Sequence, residues 1–501
     1  MNDTLSNIGS LIKDLREKRG ITQSDFAEKL GTTQSAIARI ESGEQNLTTE
    51  MISKISNALE REIVTISKGA MNFEIDGEHR LSGTVTTKTS KNGAMGIISA
   101  SLLNQGKTTI KNVPKIEEVY RMVEVLESIG VNIRWVGNDL EIEIEKINLK
   151  TINNISAEKT RSIIMLIGPL IHLMKKFSLP QSGGCKLGAR TVTPHLFALE
   201  NFGVQIISKS KSYEVTSPKL TPAEFALYES GDTVTENALM AAARIPGKTI
   251  IKFASANYMV QDLCFFLQDL GVKIEGIGTS TLTVYGIKDI NKNITYFLGE
   301  DPIDSMFFLA TAAVTNSSIE IKRCPIDFLE IELLKLKKMG FKFKISKTYK
   351  GLNERINLID IKTYPSKLTA LQDKIEAHPY PGLNIDNLPF FAVIATQASG
   401  QTLIHDWIYE KRAIHYKDLD KLGADTILAD PHRFYVNGKT EFRPTEIICP
   451  PALRPAAIIL IAMLAAKGKS ILRNVYSINR GYEEITERLN ALGAKIKILR
   501  E

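Results

Sequence analysis

Cysteine is scarce in this chain. Cys185, Cys264, Cys324 and Cys449 stand far apart, with no Cys-x-x-Cys pair and no cysteine–histidine cluster. That spacing argues against a disulfide framework and a structural zinc site, so a reducing cytoplasm is the expected home and no metal or organic cofactor is expected. Long apolar runs are missing as well. The longest, from Pro455 to Ala466, is too short to span a bilayer and has a charge on either side, so no membrane association is expected. The opening MNDTLSNIGS lacks the basic and apolar regions of a signal peptide. Charge of one sign is not in large excess. A net +7 over 501 residues suits anionic small molecules and is weak evidence for nucleic acid.

What is present is an ordinary globular composition, 43% hydrophobic and 24% charged, on a chain too long for one core. It reads as two unequal parts. Up to Lys68 the pattern is all helical. Ile8, Leu11, Ile12 and Leu15 follow helical spacing, and Gly20 ends that helix. Thr22 can cap a second helix with Phe26, Ala27 and Leu30 inward; Gly31 supplies a turn; a third helix carries Ala36, Ile37 and Ile40 inward. The stretch ITQSDFAEKLGTTQSAIARIESGE closely resembles the helix-turn-helix of the Cro/cI-type repressor family. That resemblance implies DNA as a partner, with Gln34, Ser35 and Arg39 toward bases or phosphates. With nine Lys/Arg and ten Asp/Glu over residues 1–68 the module is near neutral, so a local group (Lys13, Arg16, Lys18, Arg19) is expected to meet the backbone. A small helical dimerisation module is the alternative.

After Gly69-Ala70-Met71 the rhythm changes to strands alternating with amphipathic helices. A helix end, a glycine and a strand recur six times: SIGVNI, NFGVQI, DLGVKI, KMGFKF, KLGADT and ALGAKI, centred on Gly130, Gly203, Gly271, Gly340, Gly423 and Gly493. A turn entering a strand precedes most copies, as in GKTTI, GKTII and GKSIL. These are not phosphate loops. The required earlier glycine is Ser101, Ala242 or Met463, and β-branched residues follow where a helix should begin. Copies of about 70 residues suggest compact α/β subdomains rather than a solenoid.

Several motifs occur in one order along this part: SKNGA (Ser90 to Ala94), TRSIIMLIGPL (from Thr160), SGGCKLGAR (Ser182 to Arg190), VTENALMAA (from Val234), EDPIDSMFFLATAA (from Glu300), PGLNID (ending at Asp386), YEKRAIH (containing Arg412) and INRGYEEITERLNALGAKI. With the six repeats they resemble the enolpyruvyl transferase family, from Met71 to the C-terminus, and most nearly its branch acting on UDP-N-acetylglucosamine. The resemblance implies an α/β fold of two inside-out domains of three repeats each, behind a small all-α helix-turn-helix domain. The expected boundaries are 1–68 and 71–501, the latter divided into about 91–297 and 71–90 plus 298–501, with the active site in the cleft between.

The implied reaction moves the enolpyruvyl group of phosphoenolpyruvate to the 3′-hydroxyl of UDP-N-acetylglucosamine by addition and elimination, releasing phosphate, a step of peptidoglycan precursor synthesis. Lys91, Cys185, Asp301 and Asp386 are the implied catalytic residues; Asn92, Arg161, Arg190, His195 and Arg412 are the implied substrate contacts. The residue types suit the chemistry. A carboxylate and a phosphate call for fixed cations, and the hydroxyl proton calls for a carboxylate. Lys186 and Arg190 beside Cys185 favour its thiolate, and the glycines let that loop close over substrate. In the family that cysteine assists proton transfer and is alkylated by fosfomycin. Cys264, Cys324 and Cys449 read as core.

The chain departs from the family around the acceptor. The family's aspartate before its histidine is Thr193, the acid of its Thr-Asp-Leu-Arg-Ala motif is lost at Ala452, and Asn384-Ile385 replaces Pro-Thr before Asp386. Two alternatives therefore stand: transfer to a different acceptor, and a DNA-binding regulator whose second part senses a nucleotide sugar or phosphoenolpyruvate.

Overall fold

The computed structural model describes residues 71–181 and 192–500 and, ahead of them, 9, 12–13, 15–17, 21–42, 44–45, 51, 54–55 and 58. The chain divides into two compact units that meet at Ala70 and Met71. Among the described residues no helix is long and apolar enough to cross a membrane.

In the first unit, helix α1 (Gln23–Leu30) is started by a reciprocal cap. The Thr22 hydroxyl accepts from the Asp25 N–H, and the Asp25 carboxylate accepts from the Thr22 N–H. Gly31 ends it with φ +65°, and α2 (Gln34–Glu41) follows. Ile12, Leu15, Phe26, Leu30, Ile37, Ile40 and Ile55 close a separate core, while Gln34, Ser35 and Arg39 stay exposed along α2. Arg16 corrects an expectation. It does not join Lys13 at the surface; it is 6% exposed, with Nε 2.6 Å and Nη2 3.0 Å from the two oxygens of Glu41. The reason is helical spacing, since Arg16 lies four residues after the fully buried Ile12 and shares its face.

The second unit holds six sheets among the described residues. Three lie between residues 108 and 297. Three others are built from 318–500 together with the strands Met71–Asp76 and Ser82–Thr86. Strands far apart in the chain pair within each group. Ile294–Phe297 returns parallel to Thr108–Lys111, Ser82–Thr86 runs parallel to Ser318–Pro325, and Met71–Asp76 inserts beside Lys469–Arg473. The six repeat glycines all take left-handed φ, from 87° to 104°. At Gly130 a side chain is excluded twice over, because a Cβ would also stand 2.4 Å from the Lys146 carbonyl oxygen.

The helices form the interior and the sheets the outer layers. Helices α3 (Lys91–Ala100), α4 (Glu117–Ser128), α5 (Asp232–Ala243), α6 (Tyr258–Asp269), α7 (Pro302–Val314), α8 (Leu388–Ala395) and α9 (Leu453–Leu464) supply most of that core. All 13 residues of α7 and all 8 of α8 are buried, which matches sequences apolar on every side. The sheets alternate instead, as in Leu140 and Ile142 inward between Asp139, Glu141 and Glu143. Phe307, Phe308 and Phe390 are fully buried where α7 meets α8, each contributing about 2 kcal/mol through burial. This is the inside-out α/β arrangement that the family resemblance implies.

Candidate active site

The chain passes twice between the two groups of sheets, after Thr86 and again after Phe297, and the passages are pinned together. The Ser90 N–H donates to the Gly299 carbonyl at 2.8 Å and the Asp301 N–H to the Lys88 carbonyl at 2.9 Å. Asp262 tightens the same point, accepting from the Tyr296 hydroxyl at 2.6 Å and the Gly299 N–H at 3.1 Å. Its burial pushes that carboxyl up to about 7. It also crowds Gly93, where a Cβ would meet Asp262 Oδ2 at 2.9 Å. The double passage thereby brings the start of α3, with Lys91 and Asn92, beside Asp301 at the cap of α7.

A cleft of about 940 Å³ opens beside these passages. Lys91, Asn92, Arg161 and His195 line it from the first group of sheets, and Asp386, Arg412, Arg454 and Arg480 from the second. Lys91 Nζ is 2.7 Å from Glu118 Oε2, and the Asn92 amide donates to the Tyr258 hydroxyl at 3.0 Å. Asp386 lies between two guanidinium groups, with Arg454 Nη2 3.2 Å from Oδ2 and Arg412 Nη1 3.7 Å from Oδ1.

The two aspartates are tuned in opposite directions. Burial pushes the Asp301 carboxyl up to about 6, against the pull of Arg454; its Oδ1 accepts from the Ile303 N–H at 2.9 Å. Burial acts on Asp386 too, but Arg454 and Arg412 outweigh it and hold that carboxyl below the usual carboxylate range. Such a pair offers one fixed anion and one group that exchanges a proton near neutral pH.

His195 lies near the start of the helix Thr193–Glu200, which begins with Pro194 in its first turn. It is 6% exposed and packed between Thr233 Oγ1 at 3.3 Å and the Asn237 amide at 3.2 Å. Burial, with Arg161 nearby, lowers it to about 3, so it is neutral. An amide donating to Nδ1 leaves the proton on Nε2. Arg161 opens a short 3-10 turn, Arg161–Leu166, on the cleft wall. Cys185, Lys186 and Arg190 lie outside the described residues. Cys264, Cys324 and Cys449 are buried, and burial pushes the Cys324 and Cys449 thiols up to about 12.

Three residues of the site went unnoticed in the sequence. Arg454 was read only as part of a degraded motif; its signal is a lone cation opening the apolar run of α9. Glu118 sits in the second position of α4, where an acidic residue ordinarily reads as helix-start electrostatics. Tyr258 opens α6, is 3% exposed, and has its phenol raised by burial with Asp301 and Asp386 acting on it as well. Nothing local in the sequence marks it.

Known proteins resemble this chain over most of its length. Residues 75–489 match the family model described as EPSP synthase (3-phosphoshikimate 1-carboxyvinyltransferase), and residues 12–66 match a helix-turn-helix model. The chain is 34% identical over 435 residues to the UDP-N-acetylglucosamine 1-carboxyvinyltransferase of Bradyrhizobium diazoefficiens, covering 85% of this chain and 98% of that one. It is 33% identical over 428 residues to the enzyme of the same name from Treponema denticola, covering 85% and 99%. Among solved structures, the enolpyruvyl transferase NikO from Streptomyces tendae superimposes with a TM-score of 0.75 at 23% identity, over 86% of this chain and all of that one.

Proposed function

Because the chain belongs to the EPSP synthase family of enolpyruvyl transferases, we propose that it transfers the enolpyruvyl group of phosphoenolpyruvate to the 3′-hydroxyl of UDP-N-acetylglucosamine. On this reading it serves peptidoglycan precursor synthesis in the cytoplasm. The observation that carries the reading is Asp386 held between Arg412 and Arg454 on the wall of one cationic cleft, with Asp301 tuned the opposite way at the adjoining cap of α7. Lys91, Arg190 and Arg412 receive the carboxylate and phosphate of the donor, with Asn92, Arg161 and His195 on the acceptor side. Asp301 takes the hydroxyl proton as the sugar oxygen bonds to the substituted enol carbon, and the methylene gains a proton with the help of Cys185. Loss of a proton from the resulting methyl group and departure of phosphate complete the exchange. Asp386 stays ionised throughout and holds Arg412 and Arg454 in place.

The test is phosphate release from phosphoenolpyruvate by the full-length protein, with and without UDP-N-acetylglucosamine. Sugar-dependent release is expected. Binding of the sugar without release would turn the reading toward a sensor, and release only with another alcohol toward a different acceptor. In Cys185→Ser, fosfomycin labelling should disappear and transfer should slow.

A second reading concerns the first unit, where the exposed Gln34, Ser35 and Arg39 on a capped α2 favour duplex DNA as a partner. Fluorescence anisotropy with the full-length chain and random-sequence duplex would show salt-sensitive binding, weakened in Arg39→Ala. Equal binding by parent and variant would remove this helix from the interface.

A further inference from the structure

Arg412 is 1% exposed, and its guanidinium is fixed on two edges. Nε donates to Asp406 Oδ2 at 2.6 Å and Nη2 to Asp406 Oδ1 at 2.8 Å, while the Tyr409 ring lies 4.5 Å from Cζ. Asp406 is itself 1% exposed and held in turn. The Tyr416 hydroxyl, fully buried, donates to its Oδ2 at 2.6 Å, and its backbone N–H donates to the His432 carbonyl at 2.8 Å. The third nitrogen, Nη1, is buried and has no hydrogen-bond partner; it faces Asp386 Oδ1 at 3.7 Å, and both residues line the cleft.

A buried guanidinium N–H left unpaired is costly, so this one is an address for an incoming oxygen. A bidentate carboxylate restricts the guanidinium plane more tightly than any single contact, and the phenol fixes that carboxylate. We propose that Asp406 and Tyr416 are positioning residues that hold Arg412 so that Nη1 receives an anionic oxygen of phosphoenolpyruvate. The inference rests on the enolpyruvyl-transfer reading and adds to it a pair of residues that reach substrate only through Arg412. Nearby residues have other roles: Asp386 is shared with Arg454, and the His432 ring meets the Asp406 backbone carbonyl at 2.9 Å through Nδ1 rather than the carboxylate.

The experiment is steady-state kinetics on the full-length chain, with phosphoenolpyruvate varied at saturating UDP-N-acetylglucosamine. Tyr416→Phe keeps the ring and removes one hydrogen bond to a charged group; it should raise KM for phosphoenolpyruvate about ten-fold, with a smaller effect on kcat. Asp406→Asn should raise it about a hundred-fold, because the guanidinium loses its register. A merely structural role would lower the melting temperature or the active fraction, which scales kcat and leaves KM alone. Unchanged KM in both folded variants, or a loss confined to kcat, overturns the proposal; if Asp406→Asn does not fold, Tyr416→Phe decides. Absence of turnover in the parent chain overturns the transfer reading and this inference with it. An active parent with unchanged variants overturns only this one.

Discussion

Asp386 and Arg454 meet at 3.2 Å although 68 residues separate them in the chain. Arg454 also donates through Nη1 to the Tyr482 hydroxyl at 3.0 Å, so one guanidinium ties the segment before α8 to the segment after α9. The cleft therefore has a cation that is structural toward Tyr482 and electrostatic toward both aspartates.

Arg454→Gln should lower kcat/KM by about a hundred-fold or more, the scale of losing a preorganised charge at a reacting centre. Steady-state phosphate release measures it. A variant within a few-fold of the parent would remove Arg454 from the site's electrostatics.

Asp301 sets a pH dependence in both activity and stability. As a base it works only when ionised, so kcat should fall as pH drops through about 6. For stability the sign is opposite. The folded state keeps this proton up to about 6 while the unfolded chain releases it near 3.8, so the contribution is present in acid and lost as pH rises through 6. Asp301→Asn, which can still cap α7, should gain melting temperature relative to the parent above pH 6. An equal offset below pH 3.8 and above pH 6 would count against the assignment.

Glu118→Gln leaves Lys91 without its ionic partner in a largely enclosed position, and stability should fall by about 2 kcal/mol. Urea unfolding of the parent and variant gives the difference. Midpoints that coincide would show the pair to be energetically neutral.

Gly93→Ala should destabilise by about 1–3 kcal/mol, because the new Cβ must displace Asp262 Oδ2 from the point where the two passages are pinned. Thermal unfolding tests it, and a neutral substitution would mean that Asp262 shifts freely.

In the first unit, Arg16→Met should leave the buried Glu41 carboxylate without its cation, held only by the Gln23 amide at 2.7 Å, and cost about 3 kcal/mol, whereas Arg16→Met with Glu41→Leu should recover most of that. Hydrogen exchange over residues 23–41 in the full-length chain reports both variants. Equal exchange in the single and double variants would contradict the buried pair.

How much of this was legible in the sequence depends on distance along the chain. The six glycines and the apolar faces are local signals, and they located the turns and core helices. Asp301, Asp386 and Arg412 were found through motif resemblance, since a lone aspartate or arginine carries no local mark of its role. Glu118 and Tyr258 stayed hidden because what distinguishes them is a partner on another element, 27 residues away for Lys91 and 166 for Asn92. Arg16 was misplaced for a related reason. Composition counts it as a cation, while helical spacing puts it beside Ile12, and only the presence of Glu41 makes that position tolerable.

The distant strand pairings bear on the order in which the protein is made. The half built from 318–500 cannot finish from contiguous chain, since Met71–Asp76 waits for Lys469–Arg473, and the half between 108 and 297 closes only when Ile294–Phe297 reaches Thr108–Lys111. As the polypeptide leaves the ribosome, the core of the first unit draws, among the described residues, on nothing beyond residue 58. The strand that follows it stays unpaired until nearly four hundred further residues have emerged. An open strand edge of that duration is a target for chaperones and for misassembly. The helical module ahead of it and the sheets between 108 and 297 have all their own strands and helices while that edge is exposed.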